Sequence, residues 1–158
     1  YDVIGSFRSP EDNMRILKTI TRHLRKGGHA IISVMNMELT EHIAIHKVSL
    51  NENPQEILKL RPSNTMAESG NIFKPEYYLI NTDDSLVYRK EQFTEDNMIS
   101  AEYLVADKRY KMVEFESMAR DAGFEVRMKR YVQAGHFGVP LSPTDSKAKE
   151  LLFFMSIK

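Results

Sequence analysis

The 158-residue chain contains no cysteine, which excludes a disulfide framework and thiolate chemistry. It has no net charge either, since 22 basic residues stand against 22 acidic ones. That balance gives no electrostatic pull toward nucleic acid or an anionic membrane surface. No run approaches the roughly 20 apolar residues that span a bilayer. Asp2, Arg8 and Pro10 fall where a secretion signal would place an apolar stretch. A cytoplasmic protein fits these features. Repeats and low-complexity tracts are also missing. What is present is 42% hydrophobic residues in a length that suits one domain.

The chain opens on Tyr1-Asp2-Val3-Ile4, and Tyr1 to Ser6 reads as a buried strand. A chain that opens inside a core element is expected to lack its beginning. Ser9-Pro10-Glu11-Asp12 then predicts a helix start. Ser9 suits the N-cap, Pro10 suits the first helical position, and the two acids face the positive helix end. Met14, Leu17, Ile20 and Leu24 recur at helical spacing and predict one buried stripe. Arg22, Arg25 and Lys26 favour the negative helix end, and Gly27-Gly28 stops the helix. His29 to Val34 is a second β-branched run. Strand, helix and strand make a βαβ unit with parallel strands.

The middle of the chain changes character. Glu38 to Val48 and Pro54 to Leu60 suggest short helices, and Ser63 to Gly70 suggests a loop. Tyr77 to Ile80, Leu86 to Phe93 and Ile99 to Ala106 read as three short strands, with a turn at Thr82-Asp83-Asp84. An antiparallel meander, inserted at about residues 74–108, is the expectation. The α/β character then returns. Val113 to Ala122 predicts a helix ended by Gly123, followed by strands at Phe124 to Val132 and Leu151 to Ile157. Asp145 to Glu150 reads as a surface turn.

Taken in order, these segments resemble the C-terminal half of a class I S-adenosylmethionine-dependent methyltransferase. Tyr1-Asp2-Val3-Ile4 is similar to that family's fourth strand. Leu24-Arg25-Lys26-Gly27-Gly28 resembles the signature before its fifth strand, with Lys26 where proline is usual. Arg109-Tyr110, a helix, and Asp121-Ala122-Gly123-Phe124-Glu125-Val126 resemble its last helix and sixth strand. Leu151 to Lys158 is similar to the closing strand. The resemblance implies the second half of a Rossmann-like sheet: parallel βαβ, the meander insert, then a helix and two closing strands. It implies S-adenosylmethionine as cofactor and a missing N-terminal half, in cis or as a separate chain. The family's glycine-rich turn and ribose-binding acid belong to that half. The only glycines near the first two strands are Gly5, Gly27 and Gly28.

Ligands of open α/β sheets bind at the carboxyl ends of the parallel strands. By resemblance, Ser6, Phe7 and Arg8 therefore lie at the cofactor's methionine end, beside a glycine, Gly5, that permits close backbone approach. Asn36 and Met37, after the second strand, are candidates for acceptor contact. The alternative is that Met37 packs and Asn36 caps the next segment. Tyr77 and Tyr78 of the meander can stack on an acceptor or, like Tyr88, pack within strands. Arg109 and Tyr110 open the last helix, where the family often approaches its acceptor. A surface salt-bridge cluster is the other reading. His136, between Gly135 and Phe137, is a weak candidate for a general base. His42 and His46 have the His-x-x-x-His spacing of metal ligands, but no third ligand stands near them, and no metal is expected.

The resulting expectation is methyl transfer to a small-molecule acceptor, with no nucleic-acid or membrane partner. The alternatives are a non-catalytic binding subunit of a split or degenerate methyltransferase, an unrelated α/β protein, and a metal protein built on the two histidines.

Overall fold

The structure, a computed structural model, describes residues 4–64, 74–96 and 98–157. The chain divides into two compact units. One comprises residues 1–42 and 109–158, and the other residues 43–108.

The first unit begins with a turn. Gly5 and Ser6 are in turn and bend conformation, so the strand expected over Tyr1 to Ser6 does not extend that far. Gly5 has φ 106°, a left-handed geometry that ends extended backbone. Residues 1–3 of the expected strand lie outside the described residues, and so does its expected parallel pairing with His29 to Val34. Helix α1 (Pro10–His23) follows, with Ser9 Oγ accepting from the Asp12 N–H at 3.2 Å. The double glycine closes it in two different ways. Gly27 takes φ 74°. Gly28 instead leaves no room for a side chain, because a Cβ there would lie 2.7 Å from the Arg25 carbonyl oxygen.

Strand β1 (His29–Met35), helix α2 (Met37–Ile43), helix α3 (Met112–Asp121) and strands β7 (Phe124–Gln133), β8 (His136–Leu141) and β9 (Glu150–Ile157) complete this unit. The sheet order is β1-β9-β7-β8, and every neighbouring pair is antiparallel. The closing strand thus runs antiparallel to both its neighbours, which leaves β1 and β7 parallel to each other. Alternate residues of β9, namely Leu151, Phe153 and Met155, are fully buried against Leu17 of α1 and Phe115 and Ala119 of α3. The Phe115 and Phe153 rings lie 4.8 Å apart, centroid to centroid. Burying a side chain of this size contributes about 1.5–3 kcal/mol, so this row supplies much of the unit's stability.

The second unit is largely antiparallel. Strands β4 (Tyr78–Asn81), β5 (Leu86–Glu95) and β6 (Met98–Lys108) form the expected meander. The two-residue β2 (Lys47–Val48) pairs parallel to β4, and β3 (Pro62–Asn64) pairs parallel to β5. Pro54–Lys59 is a 3₁₀ helix. The loop expected at Ser63 to Gly70 starts instead as strand β3, and residues 65–70 lie outside the described residues. Leu60, Leu79, Leu86 and Tyr88 form a separate small core.

Phe153→Ala should destabilise the protein by about 3–5 kcal/mol in urea unfolding. Val113→Ala on the solvent face of α3, where Val113 is 71% exposed, should stay within about 0.5 kcal/mol.

Candidate functional site at the carboxyl end of the first strand

Two segments of the first unit carry the residues expected at the site. One is the loop 5–9 that leads into α1. Its organiser is Asn13, a fully buried residue. Asn13 Oδ1 accepts from the Gly5 N–H at 2.8 Å. Its Nδ2 donates to the carbonyls of Phe7 at 2.8 Å and Ser9 at 3.1 Å. One amide therefore fixes both ends of the loop. Ser6, Phe7 and Arg8 remain exposed, with Phe7 at 47%. Phe7 also lines a groove of ≈ 360 Å³ along α1, with Asp12, Arg15, Ile16, Thr19 and Ile20. Sequence reasoning passed over Asn13, although a signal existed. It stands four residues before Leu17, on the same buried helix face, where an unsatisfied amide would be costly.

The other segment follows β1. Asn36 turns inward and is fully buried. Its Nδ2 donates to the carbonyls of Pro143 at 2.8 Å and Ala148 at 2.7 Å, and its Oδ1 accepts from the Leu39 N–H at 3.3 Å. Its backbone N–H donates to the Lys149 carbonyl at 3.0 Å. The Tyr110 N–H donates to the Met35 carbonyl at 3.0 Å, and the Met37 N–H donates to the Tyr110 carbonyl at 2.9 Å. Met37 and Tyr110 are buried, and the Tyr110 ring meets Phe115 edge-on. Arg109 is buried rather than part of a surface cluster. Its Nη1 donates to Thr40 Oγ1 at 2.8 Å. Asn36, Met37, Arg109 and Tyr110 are thus brought together, and the hydrogen bonds of Asn36 and Arg109 hold the frame.

Glu38 joins the same region and was not singled out from the sequence. Its Oε1 accepts from the Met112 N–H at the start of α3 and from Tyr131 Oη, each at 3.0 Å. The carboxylate caps a helix that carries a partial positive charge there. Its Oε2 is buried without a hydrogen-bond partner among the described residues. Burial and the Glu38 carboxylate push the Tyr131 phenol up to about 12. Burial, and then Glu114, push Tyr110 further in the same direction.

The remaining candidates lie elsewhere. Tyr77 and Tyr78 are buried in the second unit, with the Arg61 guanidinium 5.0 Å from the Tyr77 ring centroid. His136 is exposed at the start of β8, in a hairpin that turns on Gly135, rather than on a loop. His46 falls past the end of α2, so the two histidines do not share one helical face. Among the described residues, no group of three His, Cys, Asp or Glu side chains could hold a metal.

Two solved structures share this fold. One is an S-adenosylmethionine-dependent methyltransferase from Clostridium acetobutylicum ATCC 824, at 11% identity and TM-score 0.58, covering 99% of this chain and 55% of that one. The other is the CcbJ methyltransferase from Streptomyces caelestis, at 9% identity and TM-score 0.63, covering 100% of this chain and 58% of that one. No protein-family model matches the chain, and no curated protein does. At these identities the likeness concerns the fold. The chain has the mixed α/β fold of S-adenosylmethionine-dependent methyltransferases and resembles their C-terminal half. It spans a little over half the length of each structure it matches.

Two variants test the local architecture. Asn13→Ala leaves the buried Gly5 N–H without its acceptor and should cost about 1–3 kcal/mol. Limited proteolysis should then cut faster within residues 5–9. The Tyr131 phenol is raised in the folded state, so its contribution is complete below the unfolded value near about 10 and is lost as pH rises toward about 12. Tyr131→Phe should therefore flatten the alkaline loss of stability in urea unfolding between those pH values.

Proposed function

We propose that this chain contributes the acceptor-side half of an S-adenosylmethionine-dependent methyltransferase that acts on a small molecule. In this reading catalysis is complete only with an N-terminal part, in the same polypeptide or as a separate chain. The observation that carries the proposal is the fold likeness, which runs along 99–100% of this chain. The second half of a Rossmann-like sheet, with the antiparallel unit as an insert, is the arrangement this likeness supports.

The residues present fit one edge of a cofactor site. Gly5 offers backbone without a side chain, and Phe7 offers an exposed aromatic on a loop held by Asn13. In this reading Ser6, Phe7 and Arg8 border the cofactor. The bound cofactor supplies a reactive sulfonium methyl. This chain's share is alignment, so no dedicated general base is required, and His136 has no assigned step. Asn36, Met37, Arg109 and Tyr110 act on the acceptor side by setting the path of the backbone. Tyr77 and Tyr78 are buried within the second unit and have no assigned step.

A second reading is a non-catalytic subunit. It is favoured by the inward engagement of Asn36 and Arg109, whose hydrogen-bonding groups hold the fold.

Calorimetry with S-adenosylmethionine separates the two. The chain alone should bind weakly or not at all, and adding the N-terminal part should restore both binding and methyl transfer. Tight binding by the chain alone would overturn the need for that part. Binding by the assembled protein without turnover on any small acceptor would favour the subunit reading.

A further inference from the structure

Among the described residues, the second unit has an open edge. Strand β6 pairs with β5 along Met98–Lys108 and with no other described strand. Its large apolar side chains are exposed: Met98 at 72%, Ile99 at 60%, Tyr103 at 57% and Leu104 at 52%. Phe93 of β5 meets Tyr103 edge-on, with centroids 5.4 Å apart, and is itself exposed. Edge strands of this length usually carry lysine, proline or an inward-pointing charge that prevents pairing. Tyr103-Leu104-Val105-Ala106 has none of these, and the strand's lysine, Lys108, stands at its last residue and is buried. The neighbouring charge, Glu102, is neutralised across the sheet by Lys90 at 3.5 Å and accepts from Gln92 Nε2 at 2.8 Å.

The outer part of the hairpin is also thin. Among the described residues, strand β3 supports β5 only at Lys90 to Gln92. Beyond that point Phe93 to Glu95 and Met98 to Ala101 form a two-stranded ribbon among the described residues. Such ribbons are marginal in water unless something packs on them.

We propose that β6 is the docking edge for β6 of a second copy of this chain, antiparallel about a two-fold axis at Tyr103 or Leu104. An axis at Tyr103 sets Glu102 opposite Leu104, Ala101 opposite Val105 and Asp107 opposite Ile99. An axis at Leu104 sets Glu102 opposite Ala106 and Ala101 opposite Asp107. Neither register places like charges opposite each other, so no charge repulsion opposes the self-pairing of a two-fold contact. The two edges satisfy each other's outward N–H and C=O groups. Phe93, Tyr103 and their symmetry mates share one face of the joined sheet, and Leu104 and its mate share the other. The contact is independent of methyl transfer.

Sedimentation velocity on the whole 18.3 kDa chain should give a dimer. Combining Tyr103→Lys with Leu104→Lys should weaken it by at least about tenfold without changing the circular dichroism spectrum. Because the chain has no cysteine, single cysteines report the register. Either Tyr103→Cys or Leu104→Cys should oxidise to a disulfide-linked dimer, whereas Val113→Cys on α3 should not. A monomer throughout the concentration series would overturn the proposal. So would a dimer that survives the double lysine variant, or one that cross-links equally well at position 113.

Discussion

A buried amide must find partners for its donors and its acceptor, or it costs free energy comparable to several ordinary contacts. Asn36 meets that demand by gathering segments distant in sequence. Its side chain donates to carbonyls 107 and 112 residues away and accepts from the first turn of α2. The backbone on either side of it exchanges hydrogen bonds with Tyr110. The end of β1, the entry to α3 and the approach to β9 are therefore fixed relative to one another by this node. Glu38 extends it by capping α3 and holding the Tyr131 phenol. The carboxyl end of β1 is consequently one of the most constrained places in the first unit.

The loop 5–9 is built by the same economy. Asn13 accepts from one end of the loop and donates to the other, so a stretch with exposed side chains has a defined backbone. The hydrophobic contribution lies beneath it. Leu151, Phe153 and Met155 of β9 pack against α1 and α3, and this row carries the sheet that positions both segments.

Much of this fold is legible in the sequence. Ser9-Pro10 and the double glycine mark both ends of α1, because caps and left-handed turns demand particular residues. The apolar run of β9 is readable because the strand is central. The antiparallel meander is readable from β-branched and aromatic runs separated by turn residues. Strand β8 is not, because nearly all its residues are exposed and no alternation of apolar and polar residues arises. The cap that Asn36 places on α2 is readable, but its bonds to Pro143 and Ala148 and the bond of Arg109 to Thr40 are hidden, since those partners lie far along the chain. Gly5 and Ser6 continue a polar-apolar stretch that reads as strand, yet the left-handed Gly5 ends it. The His42–His46 spacing is a reminder that a motif has meaning only if its helix continues, and α2 stops at Ile43.

The central proposal is that the loop 5–9 borders the methyl donor, with the end of β1 on the acceptor side. It is tested most directly by amide chemical-shift mapping of the isotope-labelled chain, assembled with the N-terminal part, on addition of S-adenosylmethionine. The account predicts that the largest shifts fall at residues 5–9. Shifts confined to the second unit or to the β8 hairpin, with residues 5–9 unmoved, would contradict it.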